Sequence, residues 1–514
     1  MTPPGTGTGP TLPPGDLPTT PRWLGCAACC ALGAVLACAP SPPPADSLTI
    51  LMTGDVRTLD PNAEVEQLTD AVLSNVYEPL VDLDEGLKPK PVLAESWEHP
   101  QPERWRFRLR KNVRFHDGSP LTAETVRSAI EGVRRAPADS EASQFLNDVR
   151  DVVVVDAGTV DIVTQGPRAL LANLSFLHVT KPNAAGAFPP LAGTGPYRLK
   201  ERKEGQYVSM ERWDDYWGPR PEFGFAAFEP VASPEERLAR VERHEADIAY
   251  AIPPELASVP RPGVRIARGA GLTVMYLGFG MAPRPDNPFT DRRVRKAFHL
   301  AIDRNEVLRR VLHNTGAVPT QPVAPRVFGF NPDLTAPPYD PAESRRLLAE
   351  AGHAKGLHVR LDYPHGREPA ARLVQEQLGR VGVRVELVGL DRGVLWERAS
   401  RSSLFVAGWD CSTGESSEFF QFCLHTPRDS YGAANYGGFS HARIDEIVET
   451  NAAVLDQRQR QALLQEAAGI VMDELPVLPL YVEDDIFALR TGLTFPARAD
   501  NALRLGEVRS ILTH

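Results

Sequence analysis

Hydrophobic Trp105, Phe107 and Leu109 alternate with Arg106, Arg108 and Arg110, the period-two pattern of a strand with one wet face. Phe115-His116-Asp117-Gly118 follows as a turn, with Gly118 free to take positive φ. Thr122 then caps a helix whose Val126, Ala129, Ile130 and Val133 share one face, with Leu121 and Val126 placed as a hydrophobic staple. Upstream, the pattern predicts a first buried strand over Leu48 to Met52, a turn at Leu59-Asp60-Pro61-Asn62, and a helix from Asp70 to Leu80. The unbroken β-branched run Val152 to Val155 predicts a buried strand. Farther along, Val294, Phe298, Ala301 and Ile302 form an inward helical stripe, with basic residues on a solvated face opposite. Asp340-Pro341-Ala342-Glu343 opens a helix that Gly352 ends, and Ala371 to Val381 is a helix stopped at Gly382. Val383, Val385 and Leu387 alternate as a strand. Leu463, Leu464, Ala467, Ile470 and Val471 face the core of a helix ending before Pro476, and Val477 to Val482 returns as a strand. Helices alternating with strands predict an α/β architecture.

A chain of 514 residues allows roughly three domains at about 150 residues each. The formal net charge is −10 and no dense Lys/Arg cluster occurs, which excludes nucleic acid as the expected partner. The N-terminal stretch adds more. Residues 1–21 are rich in Pro, Gly and Thr, and Arg22 precedes an apolar run, Trp23 to Ala37, too short for a comfortable membrane span. That run ends Val35-Leu36-Ala37-Cys38, which looks like a lipobox. Cys38 is then the expected diacylated N-terminus of the mature protein, with a plain secretory signal or a weak anchor helix as the alternatives. The following APSPPPADS is a Pro-rich tether. Cys26, Cys29 and Cys30 would be lost with the signal, leaving Cys411 and Cys423 in the body. In an exported protein they are a disulfide candidate, worth roughly 3 kcal/mol by loop closure; two buried free thiols are the alternative.

Several stretches carry a family likeness. Leu93 to Val126 reads LAESWEHPQPERWRFRLRKNVRFHDGSPLTAETV, and Asp291 begins DRRVRKAFHLAIDRNEVL. Between them stand Gly193-Thr194-Gly195-Pro196-Tyr197 and Arg212-Trp213-Asp214-Asp215-Tyr216-Trp217-Gly218, and upstream Asn75-Val76-Tyr77-Glu78-Pro79-Leu80. Together, from about residue 59 to residue 482, they resemble the family 5 extracytoplasmic solute-binding proteins, the peptide-, nickel- and opine-type receptors of ABC importers. Trp213 stands where the family usually has Asn. The resemblance implies a type II, cluster C periplasmic-binding-protein-like α/β fold, in which two lobes close on ligand and an extra third domain rests on one of them. The expected division is a disordered leader plus signal over 1–37, a lipidated Cys and tether over 38–46, lobe I from 47–80, 190–265 and 485–514, the extra domain over 81–189, and lobe II over 266–484.

Peptide-binding relatives anchor the peptide's amino terminus with an Asp on a loop after a Gly-Trp pair. Here that loop is Gly408-Trp409-Asp410-Cys411-Ser412-Thr413-Gly414-Glu415, and the Asp position falls on Ser412. A hydroxyl cannot neutralise an ammonium, so Asp410 or Glu415 could replace it from a neighbouring position; the alternatives are that these acids only cap the loop, or that the ligand has no free amino terminus. Asp410 shares a face with Ser412 in an extended segment, which favours it. Lobe I should contribute Val65, Glu66 and Gln67, and Arg367 is the nearest candidate for a peptide carboxylate, with an ordinary surface position as its alternative. No G-x-S-x-G or H-E-x-x-H occurs, and His353, His358 and His365 do not stack on one helix face. No enzyme, cofactor or metal site is expected. The expected partners are a small peptide or peptide-like solute, ABC permease subunits, and a bilayer reached through the acyl anchor. The protein is expected to be a monomer, either lipid-anchored or in the periplasm. A ligand sensor without transport, or a receptor for an opine, sugar or metal chelate, is the rival reading.

Overall fold

Two long strands, Val264–Phe279 and Val477–Arg490, pair antiparallel from Val264 opposite Arg490 to Gly278 opposite Val477 and form the middle of a ten-stranded sheet. On one side lie Ile248–Ala249, Ser47–Met52, Phe225–Pro230, Tyr207–Arg212 and Tyr197–Lys203; on the other lie Leu404–Trp409, Leu357–Pro364 and Val383–Leu390. The two strands therefore tie both halves of the molecule together. Their pairing slips between Ala270 and Val274. Gly271 sits in that slip with its α-carbon so close to the opposite strand that a Cβ would lie 2.4 Å from the Glu483 carbonyl oxygen. This is a computed structural model that describes residues 46–63, 66–136, 141–284, 286–428 and 431–511, all within one compact unit. The leader, the apolar run with Cys26, Cys29, Cys30 and Cys38, and Val65 lie outside the described residues.

A separate antiparallel sheet carries Ala94–Gln101, Arg104–Leu109, Thr159–Thr164 and Val149–Asp156 in that order. Trp105, Phe107 and Leu109 are buried, as their alternation predicts, while Arg104 and Arg106 on the other face converge on Asp161 at 2.9 and 2.8 Å. Gly118 turns at φ +82°, and Thr122 caps the helix Ala123–Arg134 in a reciprocal box with Thr125. The run Val152 to Val155 departs from expectation. Its strand is the outermost of the sheet, so only one edge is paired, and Val155 is 45% exposed.

The helix predicted from Asp70 to Leu80 is Gln67–Leu73. Asn75 ends it early: its amide donates to the Ala71, Val72 and Leu503 carbonyls, and its Oδ1 accepts from the Leu505 amide. The chain beyond it is fully buried and pressed by two glycines. A Cβ at Gly193 would lie 2.0 Å from the Val76 carbonyl oxygen, and one at Gly195 would lie 2.7 Å from that of Asn75. Three sequence landmarks meet here. The buried Glu78 carboxylate accepts from Thr194 Oγ1 at 2.8 Å, Tyr216 Oη at 2.8 Å and Trp217 Nε1 at 2.9 Å.

The basic face of the helix Arg292–Ala301 is not wholly solvated. Arg295 is 5% exposed and donates to the Phe289 and Glu474 carbonyls, closing backbone acceptors that would otherwise be stranded. Leu83 and Leu87, expected within the extra domain, are buried with Val274, Ala407 and Phe420 from the 266–484 segment. Among the described residues, no helix is long and apolar enough to cross a membrane.

Candidate ligand-binding cleft

Segments from both halves of the central sheet contribute to one cavity of about 620 Å³. Glu66 to Asp70, Tyr250 and the C-terminal stretch Ala499 to Ala502 line one side; Arg392, Trp396, Gly408, Asp410 and Ser412 line the other. The long strands supply Leu272, Thr273, Met275, Glu483 and Asp485, and the segment around Phe176 adds His178. The slip at Gly271 is what turns Leu272 and Thr273 out of regular pairing and into this wall.

The structure brings together five of the eight residues expected to touch ligand: Glu66, Gln67, Arg367, Asp410 and Ser412. Glu66 also caps the helix Gln67–Leu73, accepting from the Thr69 amide at 3.2 Å and Thr69 Oγ1 at 2.7 Å. Asp410 receives no hydrogen bond from any other described residue; burial raises its carboxyl above the usual range, and Arg392 opposes that shift. Ser412 lies 3.4 Å from a Glu418 oxygen, and the same carboxylate accepts from the Thr413 amide at 3.0 Å. Burial pushes Glu418 up to about 8. The loop after Trp409 is thus folded around an acid that sequence reasoning passed over.

The others are placed differently. Trp409 does not line the cavity; its ring stacks on Phe422 with centroids 5.7 Å apart. Glu415 is held by Arg460 and faces the helix Gln457–Glu474 rather than the cleft. Arg367 is half-buried. It stands in the cavity wall with both terminal nitrogens on Glu483, which leaves it no free fork for a peptide carboxylate. The expected Cys411–Cys423 bridge is corrected to two buried free thiols. Each sulfur is engaged elsewhere: Cys423 receives the Tyr276 hydroxyl at 3.9 Å, and the Phe419 amide points to Cys411. His358 lies at a second, smaller cavity and His365 beside Glu368 at 3.5 Å. No cluster able to hold a metal occurs among the described residues.

Several lining residues carried no sequence signal. Asp82 pairs with Arg504 at 3.2 Å and Asp500 with Arg498 at 2.5 Å, so these charges are satisfied internally. Asp485 is not. Burial, with Glu483 and Asp410 next in effect, pushes its carboxyl up to about 8. His178 is held by its backbone, which exchanges two hydrogen bonds with the Asn62 side chain at 2.9 and 3.0 Å. Its ring lies in the wall with Nε2 3.7 Å from Asp70 and Nδ1 without a partner. The arrangement offers a solute a cleft with unspent acceptors and, among the described residues lining it, no nucleophile paired with a base.

Comparison with known proteins fits this geometry. The profile of the bacterial extracellular solute-binding proteins, family 5 Middle, matches residues 88–431. The glutathione-binding protein GsiB of Salmonella choleraesuis (strain SC-B67) is 27% identical over 500 residues, covering 92% of this chain and 96% of the relative. Among solved structures, NikA from Brucella suis, in complex with Fe(III)-EDTA, superposes with a TM-score of 0.80 at 23% identity, covering 90% of this chain and 100% of that one. DppA from Helicobacter pylori, in complex with the peptide STSA, gives 0.74 at 20% identity, covering 90% and 98%. These folds are type II periplasmic binding proteins. The chain belongs to the family 5 bacterial extracellular solute-binding proteins, extracytoplasmic receptors that bind solutes and are not enzymes.

Proposed function

We propose that this protein captures a short peptide or peptide-like solute bearing a free amino group and delivers it to an ABC permease. The observation that carries the reading is Asp410, a carboxylate in the wall of the cleft with no hydrogen bond or ion pair from any other described residue. Glu415 and Arg367 are already committed to Arg460 and Glu483, so Asp410 is the acid of the Gly-Trp loop left to receive an ammonium. The long strands shared by both halves are where a hinge motion would close the cleft, and the permease reads the closed form because ligand shifts that population. GsiB, described as binding glutathione, and DppA, seen with a tetrapeptide, make a peptide-like cargo the natural choice. A lipid on Cys38 holds the receptor to the membrane; Cys38→Ala should release it to the soluble exported fraction.

Titration calorimetry with free and amino-blocked di- and tripeptides tests the reading. Asp410→Asn should cost about 2–5 kcal/mol for free peptides, because it leaves a buried ammonium unpaired. For amino-blocked peptides the loss should stay near the roughly 1 kcal/mol of an ordinary hydrogen bond. Tight binding of free peptides that survives the substitution unchanged refutes the assignment.

A further inference from the structure

The cleft holds a second acid that no motif announces. Asp485 lies on the long strand Val477–Arg490 with Glu483 on the same side, where the pairing slip leaves room: its Oδ2 would lie 3.3 Å from a Cβ at Gly271. Glu483 is neutralised by Arg367, Asp82 by Arg504 and Asp500 by Arg498. Asp485 and Asp410 receive no ion pair or side-chain hydrogen bond from any described residue. His178 points the same way. It lines the same cavity and is 4% exposed, its Nε2 lies 3.7 Å from Asp70, and its buried Nδ1 has no hydrogen-bond partner. On the other side of the ledger stands Arg392, a lining cation with no ion pair among the described residues.

Resting on the reading of the cleft as a peptide site, we infer that Asp485 is a specificity residue that receives a second positive charge, so that the ligand is a basic peptide carrying a Lys- or Arg-like side chain. The free groups of the wall then match such a ligand: Asp410 takes the amino terminus, Asp485 the basic side chain, and Arg392 the carboxylate. The proton that Asp485 holds up to about 8 leaves as the cation arrives. An acidic tripeptide brings no cation to Asp485 and sets its own carboxylate among Glu483, Asp410 and Asp500, so it is disfavoured.

Calorimetry with Ala-Lys-Ala, Ala-norleucine-Ala, Ala-Glu-Ala and the diamine cadaverine, on wild type and on Asp485→Asn, tests this. Wild type should prefer the Lys peptide to its norleucine isostere by about tenfold or more and bind the Glu peptide weakest. Asp485→Asn should erase that preference. Equal wild-type affinity for Lys and norleucine peptides overturns the inference and leaves the peptide reading standing, and needs no variant. A Lys preference that persists in Asp485→Asn moves the cation elsewhere and also overturns it. Cadaverine binding that depends on Asp485, with no tripeptide bound, sustains the cation site and sinks the peptide reading. No binding of any probe overturns both.

Discussion

Glu415 carries Arg460 on both carboxylate oxygens, with Nη1 3.0 Å from Oε2 and Nη2 2.6 Å from Oε1. The pair is mostly buried, and the Arg460 guanidinium also covers the Phe328 ring at 4.8 Å. It clamps the end of the Gly-Trp loop to the helix Gln457–Glu474.

Removing one partner of such a pair strands the other. Glu415→Gln should therefore lower stability by about 3 kcal/mol in urea unfolding, with the affinity for a free peptide little changed. An affinity loss as large as that of Asp410→Asn would return Glu415 to the ligand.

Cys411 and Cys423 are buried free thiols, both held well above the usual thiol range by burial. Alkylation of the native protein should leave both untouched. Denatured without reductant and mapped by peptide, both should be labelled. A mapped Cys411–Cys423 crosslink would show that the exported protein closes a bridge absent from this structure.

The strand through Trp105 was legible because one face is wet, so burial wrote a period of two into the sequence. Val264–Phe279, the longest strand, left no such trace: its inner end is buried on both faces and its alternation breaks at Gly271. The site divides along the same line. Glu66, Gln67, Asp410 and Ser412 lie in stretches that can be placed against a family pattern, and they reach the cavity. Sequence could not choose between Asp410 and Glu415, since that choice is made by Arg460, forty-five residues beyond Glu415. Asp485, Arg392 and His178 come from segments without a motif, and only the folded chain brings them to one cavity.

Glu78 supports a last prediction. Its carboxyl is pushed up to about 7, chiefly by burial, while the bonds from Trp217, Thr194 and Tyr216 pull it back down. In the unfolded chain a Glu titrates near about 4.3. Between those values the folded state binds the proton more strongly, so unfolding releases protons and stability falls as pH rises. Glu78 should therefore cost the fold about 3 kcal/mol on going from pH 4 to above 7. Glu78→Gln keeps the shape, removes the charge and should flatten that part of the slope. Glu418 and Asp485, both pushed up to about 8, go on contributing in the variant, so the difference between the two proteins is the quantity to read. Urea unfolding at pH 5 and pH 7.5 supplies it. The variant should gain on wild type as pH rises; a constant difference, or a variant that loses ground toward pH 7.5, would mean that the three donors keep Glu78 ionised throughout and hold the landmark stretches together as an anion site.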